Sequence, residues 1–214
     1  SLTAWVCVCL SLSGFAQPYT FIKQLGSSGN DEFNYVKLGN DGSIFASGNT
    51  DSSITLGGNY LNYSGGFVTK FDSVGNNLWI IPAGENIGGF AARPEEAYPG
   101  LAVDDSNNIY VFGEFSDTAF VGNTFICDTG LNNSFLAKLD ASGNVLWLLK
   151  VCDEGYLFNA AIDPSGNVVL TGNFNGTVQI DSVTLTASGG SGFDILIVKY
   201  DSQGNLIWAK QAGG

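Results

Sequence analysis

An all-β fold built from one unit written three times is what this sequence predicts, and three observations predict it. The segments KFDSVGNNLW (Lys70 to Trp79), KLDASGNVLW (Lys138 to Trp147) and KYDSQGNLIW (Lys199 to Trp208) are near copies, and their tryptophans stand 68 and then 61 residues apart. A period of tens of residues decides architecture before any local propensity does. The 214 residues are 44% apolar with 29 glycines and only 13% charged side chains, a balance that favours short strands and tight turns. No segment shows the three-to-four spacing of an amphipathic helix.

Along the chain, SLTAWVCVCLSLSGFA (1–16) carries no charge and reads as a truncated export signal, with Gly14-Phe15-Ala16 suited to cleavage before Gln17. Its apolar run, Leu2 to Leu12, is too short to span a bilayer. Cys7 and Cys9 would leave with the signal, and 17–214 would hold the repeats. Phe21 to Gly26 (FIKQLG) matches the pieces that follow each repeat tryptophan (WIIPAG, WLLKVC, WAKQAG), so 19–26 reads as an extra outer strand detached from its own unit. The units themselves occupy about 33–84, 98–152 and 157–214.

Each unit opens with a gap-free second landmark: LGNDGSIFASG (Leu38 to Gly48), VDDSNNIYVFG (Val103 to Gly113) or IDPSGNVVLTG (Ile162 to Gly172). An apolar alternation broken by two turn residues comes next (ITLGGNYLN, FVGNTFIC, VQIDSVTLT), which predicts a small hairpin. A strand, the D-x-x-G-N turn and a last strand complete the unit. ILIV (Ile195 to Val198) and VLWLL (Val145 to Leu149) are apolar at consecutive positions, so both faces of their sheet require cover. Radial stacking of sister blades supplies it.

In the turn, Asp72, Asp140 and Asp201 accept backbone N–H groups ahead of them. Gly75, Gly143 and Gly204 take the positive φ that closes a type I turn into a bulge, each followed by Asn76, Asn144 or Asn205. Trp79, Trp147 and Trp208 then fall at one depth in every unit, where each can cover the neighbouring sheet. The aspartates are read as turn caps, neither acids nor ligands. In the first unit Gly39-Asn40-Asp41-Gly42-Ser43 stands where the third has Asp163-Pro164-Ser165-Gly166-Asn167, so its turn chemistry is shifted.

The pattern D-x-x-G-N-x-[LI]-W, preceded by Lys and paired with the upstream landmark, resembles the SBBP family of bacterial β-propeller repeats over nearly all of Phe21 to Gly214. The resemblance implies blades of about four strands in an exported protein, secreted or held at a bacterial cell surface, often with a C-terminal sorting domain. A ring of ordinary size takes at least four blades, so three units predict an incomplete propeller, an amino-terminal fragment with further blades or a C-terminal domain beyond Gly214. The turn also resembles the Asp-box hairpin of sialidases and the strand pair of quinoprotein propellers, where it is structural. The period here is longer than the roughly 40 residues of WD-type blades.

Composition narrows function. A net charge of −12 would repel nucleic acid and anionic membranes. Histidine is absent, which removes Ser-His-Asp and Cys-His mechanisms and imidazole ligation. No cluster carries calcium-loop spacing, so no metal, cofactor or catalytic residue is assigned. Cys127 and Cys152 form an even pair that an oxidising compartment would allow to bridge. The expected role is a non-catalytic binding or display module for a protein or glycan partner, with aromatic loops such as GNYLNYSGG (Gly58 to Gly66) available to stack on sugar rings. Two alternatives stand beside it: a polysaccharide-acting enzyme using Asp31 with Glu32 or Glu95 with Glu96, and a purely structural spacer.

Overall fold

The computed structural model of the chain describes residues 5–7, 22–24, 29–86, 99–130, 132–188 and 192–213, and every element among them is a β-strand. β1 (Trp5–Cys7) and β2 (Ile22–Gln24) pair antiparallel as a separate ribbon. The rest of the expected signal, 1–16, and of the extra outer strand, 19–26, lies outside the described residues, as do Glu95 and Glu96.

The first blade is β3 (Asp31–Leu38), β4 (Ile44–Thr50), β7 (Gly65–Phe71) and β8 (Asn77–Asn86), an antiparallel meander; the small hairpin β5 (Ile54–Leu56) and β6 (Asn59–Leu61) is inserted at its middle connection. The second repeats this with β9 (Gly100–Val103), β10 (Ile109–Phe115), β13 (Asn133–Leu139) and β14 (Val145–Cys152), interrupted by β11 (Thr118–Val121) and β12 (Thr124–Cys127). The third is β15 (Gly155–Ile162), β16 (Val168–Phe174), β19 (Asp194–Tyr200) and β20 (Leu206–Ala212), interrupted by β17 (Thr177–Ile180) and β18 (Val183–Thr186).

Register is conserved from blade to blade. Ile44, Ile109 and Val168 oppose Phe71, Leu139 and Tyr200, and Lys70, Lys138 and Lys199 oppose Trp79, Trp147 and Trp208. A bulge follows each lysine, where the D-x-x-G-N turn tightens. The three tryptophans therefore sit at one depth in three separate sheets. Each small hairpin turns on two residues with left-handed backbone in at least the first: Gly57 (φ 55°), Gly122 (φ 57°) and Asp181 (φ 51°).

Sandwiching covers both faces of the middle strands, but not of the two strands whose consecutive apolar residues predicted it: in β14 Leu146 is 54% exposed, and β19 alternates. Phe45, Val68 and Ala83 of the first blade pack on Leu101, Ile109, Val111 and Phe135 of the second. The other face of the second blade, with Tyr110, Phe112 and Leu136, packs on Val168, Leu170, Leu196 and Val198 of the third. Consequently every residue of β7 and β13 is buried, whereas β19 alternates, with Ile195 53% exposed. The first strand of each blade is innermost: the Tyr35 hydroxyl on β3 donates to the Phe158 carbonyl on β15 at 3.4 Å, spanning from the first blade to the third.

One junction has an additional tie. β11 of the second unit pairs with β8 of the first, Val121 opposite Ala83 and Phe120 opposite Gly84, and the hairpin extends the first blade to six strands. Gly122 N–H donates to the Pro82 carbonyl at 2.9 Å beside it.

The possible bridge between Cys127 and Cys152 is not formed; both are free. Cys127 ends the exposed hairpin strand β12, with its sulfur 3.4 Å from the Thr118 hydroxyl. Cys152 ends β14 in the interior, 3.2 Å from the Ser134 hydroxyl, and fills space that a side chain at Gly155 would occupy. Each thiol is thus held by a different neighbour. Burial pushes the Cys152 thiol up to about 11, so it carries almost no thiolate at neutral pH. Iodoacetamide at pH 8 is expected to label Cys127 in the folded chain and Cys152 only after denaturation, read by intact mass. A bridged pair would leave both unlabelled until reduction.

Candidate functional site

The two turns of each blade lie at one end of the sheets, together with the aspartates that cap them. In the D-x-x-G-N turn, Asp72 Oδ1 accepts the Val74 and Asn76 N–H groups at 3.0 and 2.8 Å, and Oδ2 accepts the Asn76 side-chain amide at 2.9 Å. Asp140 holds Ser142 and Asn144 in the same way, and Asp201 holds Gln203 and Asn205. Gly75, Gly143 and Gly204 have φ of 84°, 86° and 88°. All three carboxyls lie below their ordinary value. For Asp72 and Asp201 the bonds from the following asparagine are the main cause; at Asp140 burial opposes, and the Asn144 bonds outweigh it.

The sequence reading assigned this role to three turns; the structure finds the same geometry in two more. Asp104 accepts the Ser106 and Asn108 N–H groups and the Asn108 amide, and Asp163 does so with Ser165 and Asn167. The signal was present as D-x-x-x-N in VDDSNN and IDPSGN, obscured because Asn107 (φ 62°) replaces the glycine in the first of these. In the shifted first-unit turn the backbone pattern persists, Gly39 N–H to the Ser43 carbonyl at 2.8 Å, while the carboxylate moves to Asp41, which accepts from Ser43.

Between blades, a lysine and a tryptophan grip one carbonyl. Lys70 Nζ and Trp79 Nε1 both donate to the Ala141 carbonyl, at 3.1 and 3.4 Å; Lys138 Nζ and Trp147 Nε1 both donate to the Ser202 carbonyl, each at 3.2 Å. Ala141 and Ser202 directly follow the turn aspartates of the next blade. The lysines are nearly buried, lie over the Phe45 and Tyr110 rings at 5.0 and 4.9 Å, and stand 3.9 and 3.7 Å from Asp41 and Asp104. A hydrogen bond to a charged donor contributes about 1.5–3 kcal/mol, and the ring adds about 1 kcal/mol or more on desolvation. The tryptophan ring also lies on the next turn's glycine: a Cβ at Gly143 would meet Trp79 at 3.2 Å, and one at Gly204 would meet Trp147 at 3.2 Å. Tyr110 extends the contact, donating to the Gly166 carbonyl at 3.2 Å, with burial raising its hydroxyl pKa above the ordinary value.

The remaining candidates are dispersed. Asp31 and Glu32 are consecutive on β3, so their side chains leave opposite faces of the strand, Asp31 half-buried and Glu32 exposed. Among the described residues no three of His, Cys, Asp and Glu cluster to hold a metal, and no helix is long and apolar enough to cross a membrane. Tyr63 is packed within the fold, its hydroxyl 2.8 Å from the Gly84 carbonyl and its ring against Phe120. Tyr60 and Phe125, on two of the three small hairpins, β5–β6 and β11–β12, are 64% and 59% exposed.

Two measurements separate these roles. Ala at Gly166 (φ 78°, with open space around the new Cβ) is expected to cost about 1 kcal/mol from backbone strain alone, and Ala at Gly143 about 2–3 kcal/mol because the methyl also displaces Trp79, both read from urea midpoints. Equal costs would mean that the tryptophan contact contributes nothing. Because the folded turn carboxyls are depressed, their contribution is complete above pH about 4 and is lost as pH falls through the folded values. Replacing Asp72, Asp140 and Asp201 together by Asn is therefore expected to flatten the fall of the urea midpoint below pH 4.

No protein-family model matches the chain. An uncharacterised WD repeat-containing protein of Acanthamoeba polyphaga mimivirus is 30% identical over 118 residues, which are 51% of this chain and 8% of that relative's length. Repeated four-stranded meanders, radial sandwiching and this likeness make the chain an all-β, propeller-type repeat protein with three blades of an incomplete ring.

Proposed function

We propose that the chain is a non-catalytic module, exported to the bacterial cell surface, that binds or displays a protein or glycan partner through its small hairpins. The observation that carries this reading is the division of labour between the two kinds of surface. At the turn end, Asp72, Asp104, Asp140, Asp163 and Asp201 are committed to backbone N–H groups, and Lys70 and Lys138 to carbonyls of the next blade. The hairpins instead present Tyr60 and Phe125 to solvent, flat amphipathic or apolar rings of the kind that stack on sugars and anchor protein contacts.

Export is supported by the uncharged run Leu2 to Leu12 ahead of Gly14-Phe15-Ala16, and the bacterial surface by the SBBP-like pattern of the three turns. The negative net charge argues against nucleic acid. The enzyme alternative is weakened by Asp31 and Glu32, which leave opposite faces of one strand and offer no facing acid and base.

The test is retention of the full-length protein on an array of soluble polysaccharides and on purified surface proteins, with Tyr60→Ala and Phe125→Ala beside the native chain. Each substitution is expected to weaken retention about tenfold, the loss of one stacked aromatic anchor. A native chain that retains nothing would assign it to a spacer role. Turnover of a polysaccharide that disappears in Asp31→Asn or Glu32→Gln would overturn the non-catalytic reading.

A further inference from the structure

Two of the three lysine–tryptophan pairs grip a carbonyl, and the third holds none. Trp208 Nε1 has no acceptor among the described residues, and Lys199 Nζ sits 2.7 Å from Asp163, its own blade's carboxylate. The equivalent distances in the gripping blades are 3.9 Å (Lys70 to Asp41) and 3.7 Å (Lys138 to Asp104), with the ammonium drawn toward the neighbouring turn. The difference extends over the whole face. Phe45, Val68 and Lys70 in the first blade, and Tyr110, Leu136 and Lys138 in the second, are buried. Val169, Ile197 and Lys199, at the same registers, are half-buried, and Ile195 beside them is exposed.

Resting on the propeller reading above, we infer that this face of the third blade is the docking site for a further unit of the same repeat, whose D-x-x-G-N turn supplies the missing carbonyl to Lys199 and Trp208. Continuity with the two formed junctions carries the inference. In both, the occupant is a blade that offers the carbonyl after its turn aspartate as the acceptor, a glycine as the seat for the indole, and an apolar leading face. A second copy of this chain is a poorer fit. Its second- and third-blade turns are already engaged, and the leading face of its first blade (Ile44, Phe67, Phe71 and Ile80) is already buried in a separate cluster with the hairpin residues Ile54, Leu56 and Leu61. Asp163 holds the Lys199 ammonium at 2.7 Å, and the lysine is the main cause holding the Asp163 carboxyl far below its ordinary value.

The inference is tested by following the full chain with a second copy of residues 155–213 and comparing Trp208→Phe in the parent and extended proteins, with Trp147→Phe in the parent as reference. In the parent, Trp208→Phe is expected to leave the Tm within about 1 °C, while Trp147→Phe lowers it by about 3–6 °C. In the extended chain Trp208→Phe should lower the Tm by the same 3–6 °C, and its indole should be shielded from acrylamide as Trp147 is. A folded extended chain in which Trp208→Phe stays neutral overturns the docking site. A neutral Trp147→Phe overturns the reading of the formed junctions instead. A parent that forms a concentration-dependent dimer abolished by Trp208→Phe would assign the face to a second copy and overturn the occupant chosen here.

Discussion

The structure depends on covering both faces of each sheet. A four-stranded meander of this composition cannot leave Phe45, Val68, Tyr110 or Leu136 in water, and hydrophobic burial is non-directional, so apolar cover alone would let one blade slide or rotate on the next. Direction comes from a polar contact. The carbonyl of Ala141 or Ser202 is a single point in space, and two donors from different strands of the preceding blade converge on it. Apolar area provides most of the attraction, and the gripped carbonyl fixes where it is realised.

This explains why the most repetitive piece of the sequence is a turn and not a core strand. Core positions tolerate exchange, and Phe45, Tyr110 and Val169 occupy one register with three different side chains. The turn tolerates little, because its glycine answers to two constraints: a backbone at φ near 85° and a flat space for the indole of the preceding blade. The asparagine that follows is equally constrained, since its amide returns to the carboxylate that shaped the turn.

Much of this was legible in the sequence, and the limits have identifiable causes. The meander, the inserted hairpins, the common depth of the tryptophans and the turn-cap aspartates all followed from landmarks that repeat without gaps. The lysine of each landmark was visible as a repeated letter, but its acceptor lies in the next unit, 71 residues on for Lys70 and 64 for Lys138, and no local pattern announces a backbone carbonyl. The cap at Asp104 was masked by the glycine-to-asparagine exchange at Asn107, whereas Asp163-Pro164-Ser165-Gly166-Asn167 carries the full pattern. The sequence leaves the cysteine pair open because spacing and parity carry no information on depth: one thiol faces water and the other the interior. Exposure of Ile195 and half-exposure of Ile197 were equally unreadable, since Ile195 to Val198 looks like the fully covered strands and differs only in what stands beside it.

The hairpin strand that pairs across the first junction makes the two junctions mechanically unlike. Backbone hydrogen bonds from β11 to β8 must break before the first and second blades can part, whereas the described contacts between the second and third are carried by side chains and the gripped carbonyl. Opening of the arc then becomes asymmetric: the first two blades behave as one cooperative folding unit, and the third can part from them at lower free energy, as sub-global openings follow the weakest seam. A repeat array with one reinforced seam opens first at the unreinforced one, here the junction between the second and third blades.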